Sequence, residues 1–382
     1  MLAQNDLHSL ICAVLRGAPV APPPEGGSWQ EEFRDLAEYH GVLPLLSTAL
    51  RSLDAWPARL REEMRAGWKR QAAQELLSQG EVRRVLAAFA EQGIEALLLK
   101  GTALAYTLYP DPALRPRSDT DLLVRDGQAG KAGSVLCSLG YQADAAVTGR
   151  FVSYERSYRC QGAAGFSLCV DLHWRINNAQ LFAQSLSFDE LRASGISVPA
   201  LGAAAFAPSC THALLHACMH RVSHLFTPYF VGESAHYGGD RLIWLYDICL
   251  LAEAMGTEGW SKLTKFARER QLCRVCLEGL RAAIRALGRP GIPTETLVQL
   301  EKGASDPEPS EAYFYPQKMR RFVADCKAIP RWSDRLTLLW EHLFPPAEYM
   351  WAKYGSTRRP LAFLYVRRLA GANLFRIPPG SA

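Results

Sequence analysis

The stretch "LLLKGTALAYTLYPDPALRPRSDTDLLV" (97–124) decides the fold expected of this chain. It begins with an apolar run that ends in a glycine turn, continues through a short helix-like segment, and ends in a second apolar run, TDLLV (120–124). Asp119 and Asp121 stand one residue apart at the start of that second run. Because strand interiors disfavour aspartate and neighbouring carboxylates repel each other, the pattern indicates a positive group between them.

The spacing of the two aspartates predicts a metal site. On an extended strand, residues i and i+2 point to the same face, only a few ångströms apart. Two carboxylates in that arrangement suit Mg²⁺ (or Mn²⁺), which prefers oxygen ligands. The alternative is that Asp119 caps a turn and Asp121 begins a strand, with no metal bound. If Asp121 is a metal ligand, replacing it with asparagine should relieve repulsion and leave the metal-free fold at least as stable.

Two further features point to phosphate chemistry. Gly101 and Thr102 end a strand and open a helix, where free backbone N–H groups and the helix dipole attract phosphate and the threonine hydroxyl can donate a hydrogen bond. Downstream, Asp171 lies in the apolar run SLCVDLHW and shares a strand face with Cys169 and His173. A buried acid is costly unless it is paired or binds a metal. A phosphate cradle with three carboxylates has the parts of two-metal phosphoryl transfer.

The set "LLKGTAL…RPRSDTDLLV…CVDLHW" resembles the minimal core of the DNA polymerase β-like nucleotidyltransferase superfamily. That core has a strand, a glycine turn, a helix, an acidic pair on the next strand and a third acidic residue later. With RLIWLYDI (241–248), the chain is similar, over roughly residues 30–360, to an uncharacterised bacterial nucleotidyltransferase family. Members of that family often lie beside genes for polysaccharide biosynthesis or export. One residue departs from the superfamily pattern, because Lys100 stands where the turn usually has glycine.

This resemblance implies an α+β fold, in which a small mixed β-sheet forms an α/β core flanked by N- and C-terminal helical regions. It implies Mg²⁺-dependent transfer of a nucleoside monophosphate from an NTP to an acceptor, which is a small molecule, a sugar phosphate, a protein side chain or an RNA end. The residues implied to be catalytic and to bind the metal are Asp119, Asp121 and Asp171. Those implied to bind the triphosphate are Lys100, Gly101, Thr102, Arg115 and Arg117. If Lys100 crowds the cradle, the alternative is a catalytically inactive nucleotide-binding protein with a regulatory or scaffold role.

Hydrophobic periodicity divides the chain into four regions. We expect an N-terminal helical region, the nucleotidyltransferase core, a helical domain and a C-terminal helical tail, at residues 1–80, 81–185, 186–300 and 301–382. Within this division, the stretch 288–312 has the composition of a linker or surface loop. The tail also contains RRPLAFLYVRRLAGANLF (358–375), which fits either an ordinary helix or one that touches a membrane surface.

A third functional hypothesis rests on histidines that recur every four residues in THALLHACMHRVSH, namely His212, His216, His220 and His224. The spacing H-x-x-x-H can bind zinc in a metal hydrolase. Each step drifts by about 40° around a helix, however, so all four cannot reach one ion. Asp247, on a neighbouring apolar helix, is expected either to pair with Arg241 or to form a wall of the nucleotide cleft.

Composition narrows the class of protein. The formal net charge of +5 over 382 residues suits an anionic substrate, but no dense basic stripe predicts binding to duplex DNA. Ten scattered cysteines, of which only Cys273 and Cys276 have metal-like spacing, indicate a reduced protein rather than a zinc site. With neither a signal peptide nor an apolar run of about 18–20 residues, we expect a cytoplasmic protein without a transmembrane segment.

Overall fold

The computed structural model describes residues 4–24, 26, 28–162, 165–231, 234–288, 291–354 and 360–371. The helices of the first half are α1 Gln4–Leu15, α2 Trp29–Tyr39, α3 Leu43–Ala49, α4 Ala58–Glu91, α5 Lys100–Thr107, α6 Ala129–Ser138, α7 Gln180–Ala183 and α8 Phe188–Ala193. Those of the second half are α9 Cys210–His224, α10 Leu242–Glu253, α11 Thr257–Glu269, α12 Cys273–Leu287, α13 Thr294–Gly303, α14 Lys318–Ala328, α15 Trp332–Leu343, α16 Ala347–Tyr354 and α17 Leu361–Gly371. The strands are β1 Ala96–Leu98, β2 Thr120–Val124, β3 Gln142–Ala143, β4 Glu155–Gln161, β5 Ser167–His173, β6 Ile196–Ser197, β7 Phe206–Ala207, β8 Pro228–Val231 and β9 Ser234–Tyr237.

Seven of these strands form one mixed sheet in the order β3-β4-β5-β2-β1-β7-β6, which confirms the predicted α+β fold. At its centre, β2 runs antiparallel to β1 and parallel to β5, and β5 in turn pairs antiparallel with β4. The register between β2 and β5 aligns Asp121 with Asp171 and Leu122 with Leu172. The sheet therefore brings together two acids that are fifty residues apart in the sequence.

The two faces of the sheet belong to two apolar cores. Leu98 and Leu122 face a core that includes buried residues of α4 and α6, whereas Leu97 and Leu123 face a larger core shared with α9, α10 and α12. Both central strands are fully buried, which explains why their sequences are continuous apolar runs rather than alternating ones. Because side chains alternate along a strand, Asp121 lies on the same face as Leu123 and is directed toward the helices of the larger core.

The predicted linker at 288–312 is wrong over much of its length. Residues 294–303 form α13, with Leu300 fully buried. Its apolar residues pack against α11 and α12, so tertiary contacts hold a helix that the local composition did not indicate. Residues 289 and 290 of that stretch lie outside the described residues.

The division at residues 80, 185 and 300 stays a prediction. Residues 355–359 and 372–382 of the expected C-terminal tail, and with them part of the stretch 358–375, lie outside the described residues.

Among the described residues, no helix is both long enough and apolar enough to cross a bilayer.

Candidate active site

The turn between β1 and α5 has an unusual backbone at Lys100. This residue begins α5 with a φ of 46°, in the left-handed region that favours glycine. A non-glycine residue is held there at a cost of roughly 1–3 kcal/mol. Lys100 is the residue for which the resemblance led us to expect glycine. Its side chain supplies the compensation, since Lys100 Nζ lies 2.6 Å from Asp121 Oδ1.

Asp121 is therefore the centre of a charged network. It is buried, and its Oδ1 accepts hydrogen bonds from Lys100 Nζ and, at 2.8 Å, from His173 Nε2. Although burial opposes ionisation, the charge of Lys100 and the hydrogen bond from His173 hold the pKa of Asp121 well below its usual range. Lys100, supplied by the turn itself, is thus a positive group beside Asp121, the second of the paired aspartates.

Sequence reasoning missed His173 as a site residue. The side chain is buried at the end of β5, and its Nδ1 lies 3.2 Å from Glu155 Oε2 on β4. The signal was present, because His173 follows Asp171 by two residues and so shares its strand face. In the structure it orients the carboxylate of Asp121, as histidines and carboxylates around metal sites commonly orient each other.

Asp121, Asp171 and His173 form a potential metal site, because their ligand atoms all lie within 4.8 Å of one another. Asp119 immediately precedes β2 and lines the same cavity, but it is not part of this cluster, so its role as a metal ligand stays a prediction. Burial and the charges of Asp121 and Asp171 raise the pKa of Asp119 to about 7. Burial and Asp121 also raise the pKa of Asp171.

The charges of these residues show whether they fit a divalent cation. Three carboxylates lie at one wall, and two of them have raised pKa values. Together they carry more negative charge than the ammonium group of Lys100 neutralises. Their oxygen atoms are the donors that Mg²⁺ and Mn²⁺ prefer. Both described hydrogen bonds to Asp121 fall on Oδ1, so its Oδ2 can take a metal ion. The donor set fits the predicted cation.

The two small residues of the turn have different positions. Gly101 lines the cavity, and a Cβ atom there would lie 2.9 Å from Arg115 Nη1, so a side chain at this position would displace the guanidinium that pairs with Asp247. Thr102 is fully buried and is not among the cavity-lining residues. The predicted contact between its hydroxyl and phosphate has no support in this geometry.

Arg115 and Arg117 fix the loop that precedes β2. Arg115 forms a buried bidentate pair with Asp247, with Nη2–Oδ2 at 2.6 Å and Nε–Oδ1 at 3.2 Å. Arg117 forms a second bidentate pair, at 2.6 and 2.8 Å, with Glu75 of α4. The predicted pairing of Asp247 with Arg241 is wrong. A direct contact of either arginine with phosphate stays a prediction, and both line the cavity.

The carboxylates form one wall of a cavity of about 1820 Å³. Its other walls come from α4, α9 and α10 and from the C-terminal helices α14 to α17. Asp247 lines it as well, so the expectation that this residue forms a wall of the cleft is consistent with its position.

Three of the four histidines of α9 line this cavity, namely His216, His220 and His224. Burial lowers the pKa of His216 to about 3 and that of His224 to about 4, so both are neutral. Among the described residues, no cluster of potential metal ligands includes these histidines or the cysteine pair of α12. The metal-hydrolase hypothesis therefore has no support in the structure.

Comparison with known proteins agrees with this geometry. The profile of a family described as "Uncharacterised nucleotidyltransferase" matches residues 27–288, which include the turn, all three acids and α10. No curated protein matches the chain. A match over more than half of the sequence, together with the acidic cluster at the sheet, shows that the chain belongs to this uncharacterised nucleotidyltransferase family.

Proposed function

We propose that this protein is a Mg²⁺-dependent nucleotidyltransferase that transfers a nucleoside monophosphate from an NTP to an acceptor and releases pyrophosphate. The observation that carries the proposal is the alignment of Asp121 with Asp171 on adjacent parallel strands, facing a large cavity. Asp119 stands two residues before Asp121 at the same wall.

Each residue has a role in the proposed reaction. Asp119, Asp121 and Asp171 would hold divalent cations, which neutralise the triphosphate and stabilise the charge that develops during transfer. An acceptor oxygen forms a bond to the α-phosphorus while the bond from that phosphorus to the leaving pyrophosphate breaks. Asp171 takes the acceptor's proton, for which its raised pKa suits it. Lys100 and Gly101 lie beside the expected position of the phosphates, and His173 keeps Asp121 oriented.

The volume of the cavity supports binding of the acceptor beside the NTP. Pockets for a single small ligand usually measure about 300–1,000 Å³, whereas this cavity measures about 1820 Å³. Candidate acceptors are a small molecule, a sugar phosphate, including one from polysaccharide biosynthesis, a protein side chain and an RNA end. The cavity is large enough to admit a nucleotide together with any of the smaller of these.

The ion pair of Lys100 with Asp121 favours a second candidate function. An ammonium group 2.6 Å from a carboxylate oxygen already neutralises part of the charge that a cation would neutralise. A protein that used the pair only for structure could bind nucleotide without catalysing transfer. It would then act as a regulatory or scaffold protein.

We expect NTP binding to require a divalent metal. The carboxylates would repel a triphosphate that arrives without its cation. Calorimetric titration of ATP, GTP, CTP and UTP, in Mg²⁺ and in EDTA, tests this expectation, and pyrophosphate release with each NTP tests turnover. Equal affinity in the two buffers would contradict the metal site. Metal-dependent binding without turnover, across a panel of the candidate acceptors, would favour the inactive nucleotide-binding protein.

We expect metal-dependent binding to strengthen as the pH rises. The pKa of Asp119 is raised to about 7 by burial and by its carboxylate neighbours, so protons compete with the metal below that pH. Affinity for Mg²⁺–NTP should therefore fall by up to about tenfold between about pH 7 and pH 6. Calorimetry at both pH values measures this dependence. The variant Asp119→Asn should bind more weakly, and its affinity should depend less on pH between pH 7 and pH 6. An unchanged pH profile in that variant would contradict this role of Asp119.

The raised pKa of Asp119 also predicts how the stability of the metal-free protein depends on pH. A carboxyl group with a raised pKa in the folded state stabilises the fold below its unfolded pKa, and this contribution is lost as pH rises through the folded value. Buried histidines with lowered pKa values, such as His216 and His224, act in the opposite direction, so the contribution of Asp119 is seen by comparison with Asp119→Asn. Without metal, the stability of the wild type relative to that variant should fall between about pH 6 and about pH 8, and added Mg²⁺ should reduce the fall. Thermal melts with and without Mg²⁺ measure it.

A further inference from the structure

The C-terminal helices expose an apolar surface. On α15, Trp332, Leu336 and Trp340 follow one another at four-residue spacing, with 74%, 63% and 62% of their surfaces exposed. Residues at this spacing lie along one side of a helix. Single exposed apolar residues are ordinary, but two tryptophans and a leucine along one helix side form a stripe that is costly to leave in water.

The stripe continues toward α17. The ring of Trp340 lies 4.3 Å from that of Phe344, which in turn lies 5.4 Å from the ring of Tyr365. On either side of Tyr365, α17 exposes Phe363 and Val366. We call the five most exposed apolar residues on these two helices the C-terminal apolar surface, and they are Trp332, Leu336, Trp340, Phe363 and Val366.

The segment that carries this surface is strongly basic. Residues 313–382 contain twelve Lys and Arg and four Asp and Glu, a net charge of +8, whereas the whole chain has +5. The remaining residues, 1–312, therefore carry a net charge of −3. Arg335 lies 4.8 Å from the ring of Trp332, and the exposed Arg331 and Arg367 stand next to the apolar residues in the sequence. The net positive charge of the chain thus falls in the segment that carries the exposed tryptophans, and Arg331, Arg335 and Arg367 place part of it beside the apolar surface.

We propose that the C-terminal apolar surface docks the protein on an anionic phospholipid bilayer. Amphipathic helices bind there by inserting tryptophan, phenylalanine and leucine at the headgroup boundary while arginines contact lipid phosphates. Tryptophan suits this boundary because its ring is apolar and its N–H is polar. Helices of this kind lie in the interface and do not cross it, in keeping with the absence of a spanning helix among the described residues. The charge complementarity selects a bilayer that contains anionic lipid.

The position of α15 relates this surface to the cavity. Leu338 and His342 on one side of the helix line the cavity, and Leu339 lines it while remaining partly exposed. The stripe of Trp332, Leu336 and Trp340 occupies another side of the same helix. Docking would therefore place the cavity beside the bilayer. The membrane proposal does not depend on the proposed transferase function and can fail or succeed independently of it.

Co-sedimentation of the full chain with vesicles tests the proposal. We expect binding to vesicles of phosphatidylcholine with about a third phosphatidylglycerol, little binding to phosphatidylcholine alone, and weaker binding at high salt. The double variant Trp332→Ser/Trp340→Ser should lower binding about tenfold or more, and Arg331→Gln/Arg367→Gln should weaken it and reduce its dependence on salt. As a matched control, Leu76→Ser/Val298→Ser removes exposed apolar residues elsewhere and should bind as the wild type does.

Several results would overturn the proposal. They are the absence of binding to anionic vesicles, equal binding to both lipid compositions, and equal loss of binding in the control variant. If light scattering shows a dimer that the tryptophan variant dissociates, while vesicles are not bound, the surface joins two copies of the chain instead. Thermal melts and Mg²⁺-dependent NTP titrations of the tryptophan variant should match the wild type, because both tryptophans are exposed and neither lines the cavity.

Discussion

Asp121→Asn is expected to abolish nucleotidyl transfer almost completely, with a loss of about three orders of magnitude or more. The change removes one negative charge at nearly constant shape from the residue that pairs in register with Asp171. Metal coordination at this wall would lose a carboxylate, and cations there supply several kcal/mol of stabilisation to the transition state. Steady-state turnover, measured as pyrophosphate release at saturating Mg²⁺, gives the size of the loss.

The same variant should also be less stable than the wild type. From the sequence alone, loss of the charge relieves repulsion and leaves the metal-free fold at least as stable. The structure changes this expectation, because the carboxylate of Asp121 accepts hydrogen bonds from both Lys100 and His173. An asparagine keeps an acceptor oxygen but leaves the lysine without its counter-charge, so we expect a loss of about 1–3 kcal/mol in the free energy of unfolding.

A matched control separates these two effects. Asp126 pairs with Arg175 through exposed side chains and does not line the cavity, so Asp126→Asn should change neither turnover nor stability noticeably. Assays well below the melting temperature of the Asp121→Asn variant keep partial unfolding from imitating a catalytic loss. If Asp121→Asn is less stable but turns over as fast as the wild type, the residue is a structural partner of Lys100 and the metal assignment is wrong.

Local sequence patterns were sufficient for the framework of the site. The runs TDLLV and SLCVDLHW are apolar enough to predict buried strands. Because side chains alternate between the two faces of a strand, the face on which each aspartate lies can also be predicted. Such patterns show which face a side chain occupies but not which residue lies opposite it. The partner of Asp247 is Arg115, 132 residues away, and pairing at that distance depends on how α10 packs against the loop.

The sequence also could not predict which way the side chains point in the first turn of α5. The sequence indicated that Gly101 and Thr102 open a helix, and the structure has that helix. It could not indicate that the turn directs Thr102 into the protein interior while Gly101 faces the cavity. Lys100 shows the same limit, since its left-handed backbone and its reach to Asp121 follow from the turn geometry rather than from residue preference.

Asp247→Asn is expected to produce the largest loss of stability, about 3–5 kcal/mol in the free energy of unfolding. Asp247 is buried, accepts a bidentate pair from Arg115 and accepts a hydrogen bond at 2.7 Å from the hydroxyl of Tyr109. Removing its charge leaves a buried guanidinium without a counter-ion, which is much costlier than losing an exposed pair. Urea unfolding at neutral pH measures the change. Asp144→Asn, which breaks a more exposed pair with Arg159, should lose less than about 1 kcal/mol.

A double variant then distinguishes the structural role of Arg115 from its predicted contact with phosphate. In Arg115→Met/Asp247→Leu no buried charge is left unpaired, so much of the stability lost in Asp247→Asn should return. If Arg115 only holds the loop against α10, the double variant should keep metal-dependent NTP binding within a few-fold of the wild type. If its guanidinium also contacts the triphosphate, binding should fall about tenfold or more although the fold has recovered, since hydrogen bonds to charged groups contribute about 1.5–3 kcal/mol. Asp247→Asn as stable as the wild type would show instead that other contacts, such as the pair of Arg117 with Glu75, hold the loop.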